Sequence, residues 1–263
     1  MTGLELPLLT IVLLVVASFA AGLVDSIVGG GGLIQLPSLL IGLPADTPVP
    51  TIAGTNKLPS SLGTGVAVVT YLRRVRIPWG AVVPLVASSA LGSALGAQLT
   101  HFLNRAAFTP LVLLAIVAVG WYTWRRPQLG LKHEVRHSGW RGCAWLSLIG
   151  LVVGLWDGFI GPGTGSFFLI LIVAVMGFEF LTATALAKVA NLTTNIAAIA
   201  VFGASGNILW GLGFAMGAAN VVGGFLGASL ALRHGNQFVR KVFLIVIVGL
   251  GLKLAWDAVA MVA

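Results

Sequence analysis

From Leu6 to Leu43 the chain carries a single ionisable residue, Asp25. A membrane-spanning helix needs about 20 predominantly apolar residues, and stretches of this character recur along the whole length. Charged residues make up 8% of the chain, against roughly 25% in an ordinary soluble domain. With a mean hydropathy of +1.03, this deficit excludes a water-soluble core protein and points to an all-α polytopic membrane protein. At about 20 residues per span, 263 residues allow at most about ten crossings. The net charge of +8 would suggest nucleic acid as a partner in a soluble chain. Here the basic residues sit mostly in short loops, the pattern of cytoplasmic anchoring, so no nucleic acid is expected. Cys143 is the only cysteine, which removes an intrachain disulfide and any cysteine-based metal site. No Lys or Arg precedes Lys57, so the basic start of a signal peptide is missing and the first segment reads as a retained helix.

Hydrophobic segments fall at 6–28, 31–43, 51–72, 79–100 and 107–124, then at 142–160, 163–178, 180–203, 207–232 and 238–262. The two sets resemble each other. GLVDSIVGGGG from Gly22 aligns with GLWDGFIGPGT from Gly154, placing Asp157 132 residues after Asp25. Lys57 and Lys188, Trp79 and Trp210, Gly92 and Gly223, and Gly96 and Gly227 then recur at 131. Ordered recurrence of Asp, Lys, Trp and Gly is the mark of a duplicated unit. The reading is a first transmembrane repeat over 1–124, a cytoplasmic linker over 125–139 and a second repeat over 140–263. Each repeat has about five hydrophobic segments, giving eight to ten transmembrane helices.

Charge orients the repeats. Arg73, Arg74 and Arg76 make one loop basic, five Lys and Arg between Arg125 and Arg141 the central one, and Arg233, Arg240 and Lys241 the last. If all ten segments cross, these loops share one side, each half has an odd number of crossings, and the repeats are inverted with both termini outside. If 31–43 and 163–178 are re-entrant, four crossings per half make the repeats parallel and strand the last basic loop outside. Loop charge favours the inverted arrangement. Segment 31–43 strains it, since 13 helical residues span only about 20 Å.

Ionisable residues inside such segments cost roughly 2.5–3.5 kcal/mol each on insertion scales and normally face a cavity or a partner. Asp25, Lys57, Asp157 and Lys188 fit that description, as two repeat-related pairs. Around the lysines lie Thr55, Asn56, Ser60, Ser61 and Thr64, and Thr184, Asn191, Thr194 and Asn195. Lys188, Asn191 and Asn195 share one helical face by spacing, as do Lys57, Ser60, Ser61 and Thr64. Two such faces meeting would line a polar, positively charged substrate pocket; ordinary packing with polar side chains as glue is the plainer reading of the Ser and Thr residues.

The glycine runs at 29–32 and 161–165 predict broken helices, since four glycines in a row are poor helix material and Pro162 suits no helix interior. Gly30, Gly31 and Gly32, and Gly163, Thr164 and Gly165, would then offer backbone donors to an anion where the next helix starts. Gly92 with Gly96 and Gly223 with Gly227 read instead as close helix crossings. Asp25 and Asp157 stand four residues before the breaks, placed to accept freed backbone N–H groups, to pair with the lysines or to carry a coupling proton. His133 and His137 sit among charges in a loop, and neither a metal site nor a cofactor is expected. No nucleophile–base set and no P-loop ending appear, so the chain is not expected to be an enzyme.

The segments GLVDSIVGGGGL and GTNKL, with DGFIGPGTG and AKVANLTTN, resemble the TauE/SafE family of sulfite exporters, also called toluene sulfonate uptake permeases. The resemblance covers nearly the whole chain. It implies a multi-pass carrier of the bacterial inner membrane for a small anion such as sulfite or an organosulfonate like sulfoacetate. The family's paired motifs map onto Asp25, Gly29 to Gly32 and Lys57, then Asp157, Gly161 to Gly165 and Lys188. Alternating access about a central site at the repeat interface is the expected mechanism. An anion channel, or a carrier of a sulfur-free organic anion, is the alternative. Protons as coupling ion and a homodimer are open partners beside the bilayer and substrate.

Overall fold

A computed structural model of the chain describes residues 5–102 and 135–262, with side chains in the last helix described through Val242 and at Ile245. The expected segment 107–124 and most of the linker lie outside the described residues. Helix α1 (Leu8–Val28) and the short α2 (Gly32–Gly42) flank the first glycine run, followed by α3 (Val49–Leu72) and α4 (Trp79–Leu99). The second half supplies α5 (Gly139–Phe159), the short α6 (Thr164–Leu171), α7 (Phe180–Ala204) and α8 (Trp210–Val262). A wider π turn at Ile172–Met176 extends α6, and Gly235 breaks α8 with φ 75° and ψ −167°.

Both predicted interruptions are present. Gly29 caps α1 in the left-handed conformation (φ 81°), its N–H donating to the Asp25 carbonyl at 2.7 Å. In the second half, Pro162 stands between Gly161 (φ 92°) and Gly163 (φ 78°), and α6 begins directly after them.

The chain reverses at each break. The 11 residues of α2 reach about 16 Å, half of a hydrocarbon core of about 30 Å. Gly42 lies against Leu14, and the Ser18 hydroxyl donates to the Gln35 side-chain Oε1 at 3.4 Å, so α2 runs back along α1. Likewise α6 runs back along α5: the Phe167 ring packs edge-on to Trp156 at 5.6 Å, and the Arg136 N–H donates to the Met176 carbonyl at 3.0 Å. The expectation that all ten segments cross is therefore corrected for 31–43 and 163–178, which are too short and fold back as hairpin arms.

The hairpins enter from opposite ends of the bundle, and each returns to the end it came from, so its two arms add no net crossing and the parallel arrangement expected from four crossings per half does not follow. At one end the 43–48 and 205–209 loops meet, with Thr51 Oγ1 donating to Asn207 Oδ1 at 3.1 Å. At the other, Ile77 and Pro78 share a cavity wall with His137, Met176 and Phe178. Two close seams join the halves. A Cβ on Gly92 or Gly96 of α4 would lie 2.3 or 2.1 Å from the Leu151 or Leu155 carbonyl oxygen of α5. A Cβ on Gly223 or Gly227 of α8 would meet the Phe19 or Leu23 oxygen of α1 at 2.1 or 2.3 Å. Only glycine permits backbones this near, and the contact order makes both seams parallel.

Between the seams α3 and α7 run antiparallel, Gly54 facing Phe202 and Gly65 facing Leu192. They hold most of the buried polar side chains. Outward-facing side chains are apolar instead: Leu13 and Val16 on α1, Val83 and Leu91 on α4, Val152 on α5, and Phe214 and Phe225 on α8 are all exposed. Such an apolar exterior suits lipid. Among the described residues five helices are long and apolar enough to cross a membrane: Leu8–Val28, Trp79–Phe102, Gly139–Phe159, Phe180–Ala204 and Trp210–Val242. The 24-residue α3 is long enough, but its sequence is rich in polar side chains, Gly and Pro, and it is not in that set.

Candidate functional site

The two glycine breaks pack directly on one another at the centre. A Cβ on Gly29 would fall 2.1 Å from the Gly165 carbonyl carbon. The Ser166 N–H donates to the Gly29 carbonyl and its hydroxyl to the Val28 carbonyl, both at 3.0 Å. Helix ends left open in a low-dielectric interior must satisfy their backbone groups within the protein, and here each break supplies partners to the other.

Beside this crossing four charges, Lys57, Asp157 and Lys188 buried and Asp25 partly exposed, pair across the halves. Lys57 of α3 places Nζ 2.7 Å from Asp157 Oδ2 of α5, and Lys188 of α7 places Nζ 2.7 Å from Asp25 Oδ2 of α1. The pairs differ in their support. Asp25 also accepts from Thr64 Oγ1 at 3.2 Å and from the Gly31 N–H at 3.3 Å. Around Asp157, the Lys57 ammonium directs its hydrogen bond to the main-chain carbonyl at 2.7 Å. The same ammonium lies 2.7 Å from Oδ2, and that oxygen has no other partner among the described residues. The sequence-based expectation of a positively charged pocket is corrected here: two lysines face two aspartates, so the centre is formally neutral.

A polar cavity of about 20 Å³ lies between the pairs, room for about one water. Its walls are Asp25, Asn56, Lys57, Ser60, Asp157, Asn191, Asn195 and Thr164, with Gly29, Gly32, Gly161, Gly163 and Gly165 from the breaks. Lys188 stands behind Asp25. Thr55 turns away, its Oγ1 accepting the Leu209 N–H at 3.0 Å. Thr194 Oγ1 donates to the Asn191 carbonyl at 2.9 Å inside its own helix. Gly30 and Gly31 form the turn itself: the Gly30 carbonyl accepts from Leu33, and the Gly31 N–H is taken by Asp25.

One polar cluster was not singled out from the sequence. Asn220 Nδ2 of α8 donates to the Ser18 carbonyl and to Gln35 Oε1, both at 2.9 Å, and Gln35 Nε2 donates to the Asn56 carbonyl at 3.0 Å. It ties α2 to α1, α3 and α8. Its positions correspond at the repeat offsets to Gly150, Phe167 and Ser89, so comparing the halves gives no polar counterpart for Gln35.

Two larger cavities lie at opposite ends. One, of about 810 Å³, is lined by Glu5, Leu43, Asp46, Thr51, Gly206 and Leu209 among others; the second, of about 620 Å³, by Arg76, Ile77, His137, Met176 and Thr182 among others. Between the first and the centre lies an apolar cluster running from Leu43 through Leu39, Leu36 and Ile52 to Ile160. Towards the second, Phe168, Ile172, Ala183 and Leu186 are fully buried. Apolar side chains thus separate the centre from both end cavities.

Lipid-facing helices around an ion-paired polar centre, with two helix hairpins reaching it from opposite ends, define a multi-pass membrane transporter. The chain belongs to the TauE/SafE family, described as "Sulfite exporter TauE/SafE", whose sequence profile matches residues 14–254. It is 35% identical over 245 residues to a probable membrane transporter protein, ORF9, of a Sinorhizobium species, covering 93% of this chain and 92% of that one. A probable membrane transporter protein of Haemophilus influenzae is 36% identical, with 91% and 92% covered. The probable membrane transporter protein YfcA of Escherichia coli K12 is 33% identical, with 96% and 91% covered. No solved structure matches the chain.

Proposed function

We propose that the protein is a secondary carrier of a small anion, sulfite or an organosulfonate such as sulfoacetate, working by alternating access around the cavity between Lys57 and Asp157. The observation that carries this reading is the separated centre: a cavity for one water, lined by the buried Lys57, with apolar side chains between it and a wide cavity at each end. A channel needs a continuous path, whereas a carrier needs an occluded one. Positions 131 or 132 apart make matching contacts along the two glycine seams, which supports inverted repeats exchanging roles as the centre opens to either side. Among the described residues, Arg73, Arg74, Arg76, Arg136 and Arg141 gather at the end where the α5/α6 hairpin enters. The positive-inside rule makes that end cytoplasmic.

Because each lysine is matched by a carboxylate, an anion must compete with that carboxylate for the ammonium. A proton on Asp25 or Asp157 would release the lysine, which makes protons the natural coupling ion. A thermal-shift screen of sulfite, sulfoacetate, taurine, sulfate and small carboxylates tests the substrate, since a ligand of the native state raises its stability. A sulfur oxyanion should stabilise the wild type and leave Lys57→Ala unmoved. Stabilisation by carboxylates alone would reassign the substrate.

A further inference from the structure

The cavity walls contain polar atoms that the fold itself does not use. Asn56 is 4% exposed and its Oδ1 accepts no hydrogen bond; Asn195 is 2% exposed and its Nδ2 donates none. Asp157 is 2% exposed, and the Lys57 ammonium 2.7 Å from its Oδ2 is that oxygen's one partner among the described residues. All three residues line the same small cavity. Buried polar atoms in folded proteins are almost always satisfied, so unpaired ones on residues around one space mark what a ligand must supply when that space, now sized for about one water, widens to admit it. Asn56 offers an unused acceptor, Asn195 an unused donor, and Asp157 an acceptor held by Lys57 alone.

An anion with no proton of its own can use Asn195 and Lys57. It would also set its lone pairs against the Asn56 and Asp157 oxygens, leaving both acceptors desolvated and repelled. An oxyanion bearing one hydroxyl has both complements. We infer that the centre is built for a small oxyanion that carries its own proton, its hydroxyl donating to Asn56 Oδ1 or Asp157 Oδ2 and its charged oxygens accepting from Asn195 Nδ2 and Lys57 Nζ. This rests on the anion-carrier reading and narrows it to the singly protonated member of an oxyanion pair. A hydrogen bond from the ligand to Asp157 also draws that carboxylate off Lys57, freeing the ammonium for the anion that brought the proton.

The test uses two probes of one charge and nearly one shape. At a pH between the two ionisations of methylphosphonate, that anion and methanesulfonate are both tetrahedral monoanions, and only methylphosphonate carries an O–H. Affinities for the purified full-length protein are measured by calorimetry. Methylphosphonate should bind about tenfold more tightly or better, the discrimination that one unpaired buried acceptor produces. Asn56→Leu should shrink the ratio towards one. The wild-type ratio stands by itself should that variant fail to fold. Equal affinities, or a preference for methanesulfonate, would overturn the inference while leaving an anion site in place. Binding of neither probe, together with no response to any anion of the screen above, would remove the anion reading and this inference with it.

Discussion

Neutralising Lys57 probes the centre most severely, because Asp157 has so little else to lean on. Lys57→Met keeps the length of the side chain and removes the ammonium 2.7 Å from both Asp157 Oδ2 and the Asp157 carbonyl. A carboxylate 2% exposed then loses its partner in a low-dielectric interior. Breaking a buried pair in this way costs about 3–5 kcal/mol. At about 2–4 °C per kcal/mol for a domain of this size, the melting temperature should fall on the order of 10 °C. Lys188→Met should cost less, because Asp25 keeps the Thr64 hydroxyl and the Gly31 N–H. The double variant Lys57→Met/Asp157→Leu removes both charges and should recover most of the lost stability, yet it should no longer bind the anion. Intrinsic-fluorescence melting of the detergent-solubilised protein gives all four values on one scale. A Lys57→Met melt equal to wild type, or a double variant no better than the single, would refute the paired-charge account.

Other consequences follow from packing. Gly165→Ala would bring a Cβ within 2.5 Å of Gly29 and should abolish the folded, monodisperse peak in size-exclusion chromatography. Gly80→Ala, in α4 with nothing within 4 Å, should leave that peak intact and raise stability by about 0.5–1 kcal/mol. Gly96→Val meets the Leu155 carbonyl and should disrupt the α4–α5 seam, read as loss of folded yield. Asn220→Leu removes the 2.9 Å donor to Gln35 Oε1 and to the Ser18 carbonyl, and should cost about 1–3 kcal/mol in a melt.

The parts of the centre that the sequence exposes are those with no innocent explanation in an apolar segment. Asp25, Asp157, Lys57 and Lys188 stand out because membrane charges are expensive, and Pro162 between two glycines announces a break without any structure. Partner choice is different. Lys57 reaches Asp157 and Lys188 reaches Asp25 across the halves, a consequence of how α3 and α7 cross, which no spacing along the chain encodes. Counting the lysines without their partners made the pocket look positive. The short length of 31–43 hinted at trouble, but its reversal depends on Leu14 receiving Gly42 and Ser18 receiving Gln35. Gln35 and Asn220 stayed hidden because uncharged polar residues are common packing elements in membrane helices.

The central claim is that the anion crosses through an occluded site between the Lys–Asp pairs. Counterflow in proteoliposomes tests it most directly: vesicles preloaded with sulfite, labelled sulfite outside, and uptake followed against external concentration. The account predicts saturable uptake accelerated by internal sulfite, and none in Lys57→Met/Asp157→Leu despite its recovered fold. Uptake that rises linearly with concentration, ignores internal anion and survives in the double variant would contradict it.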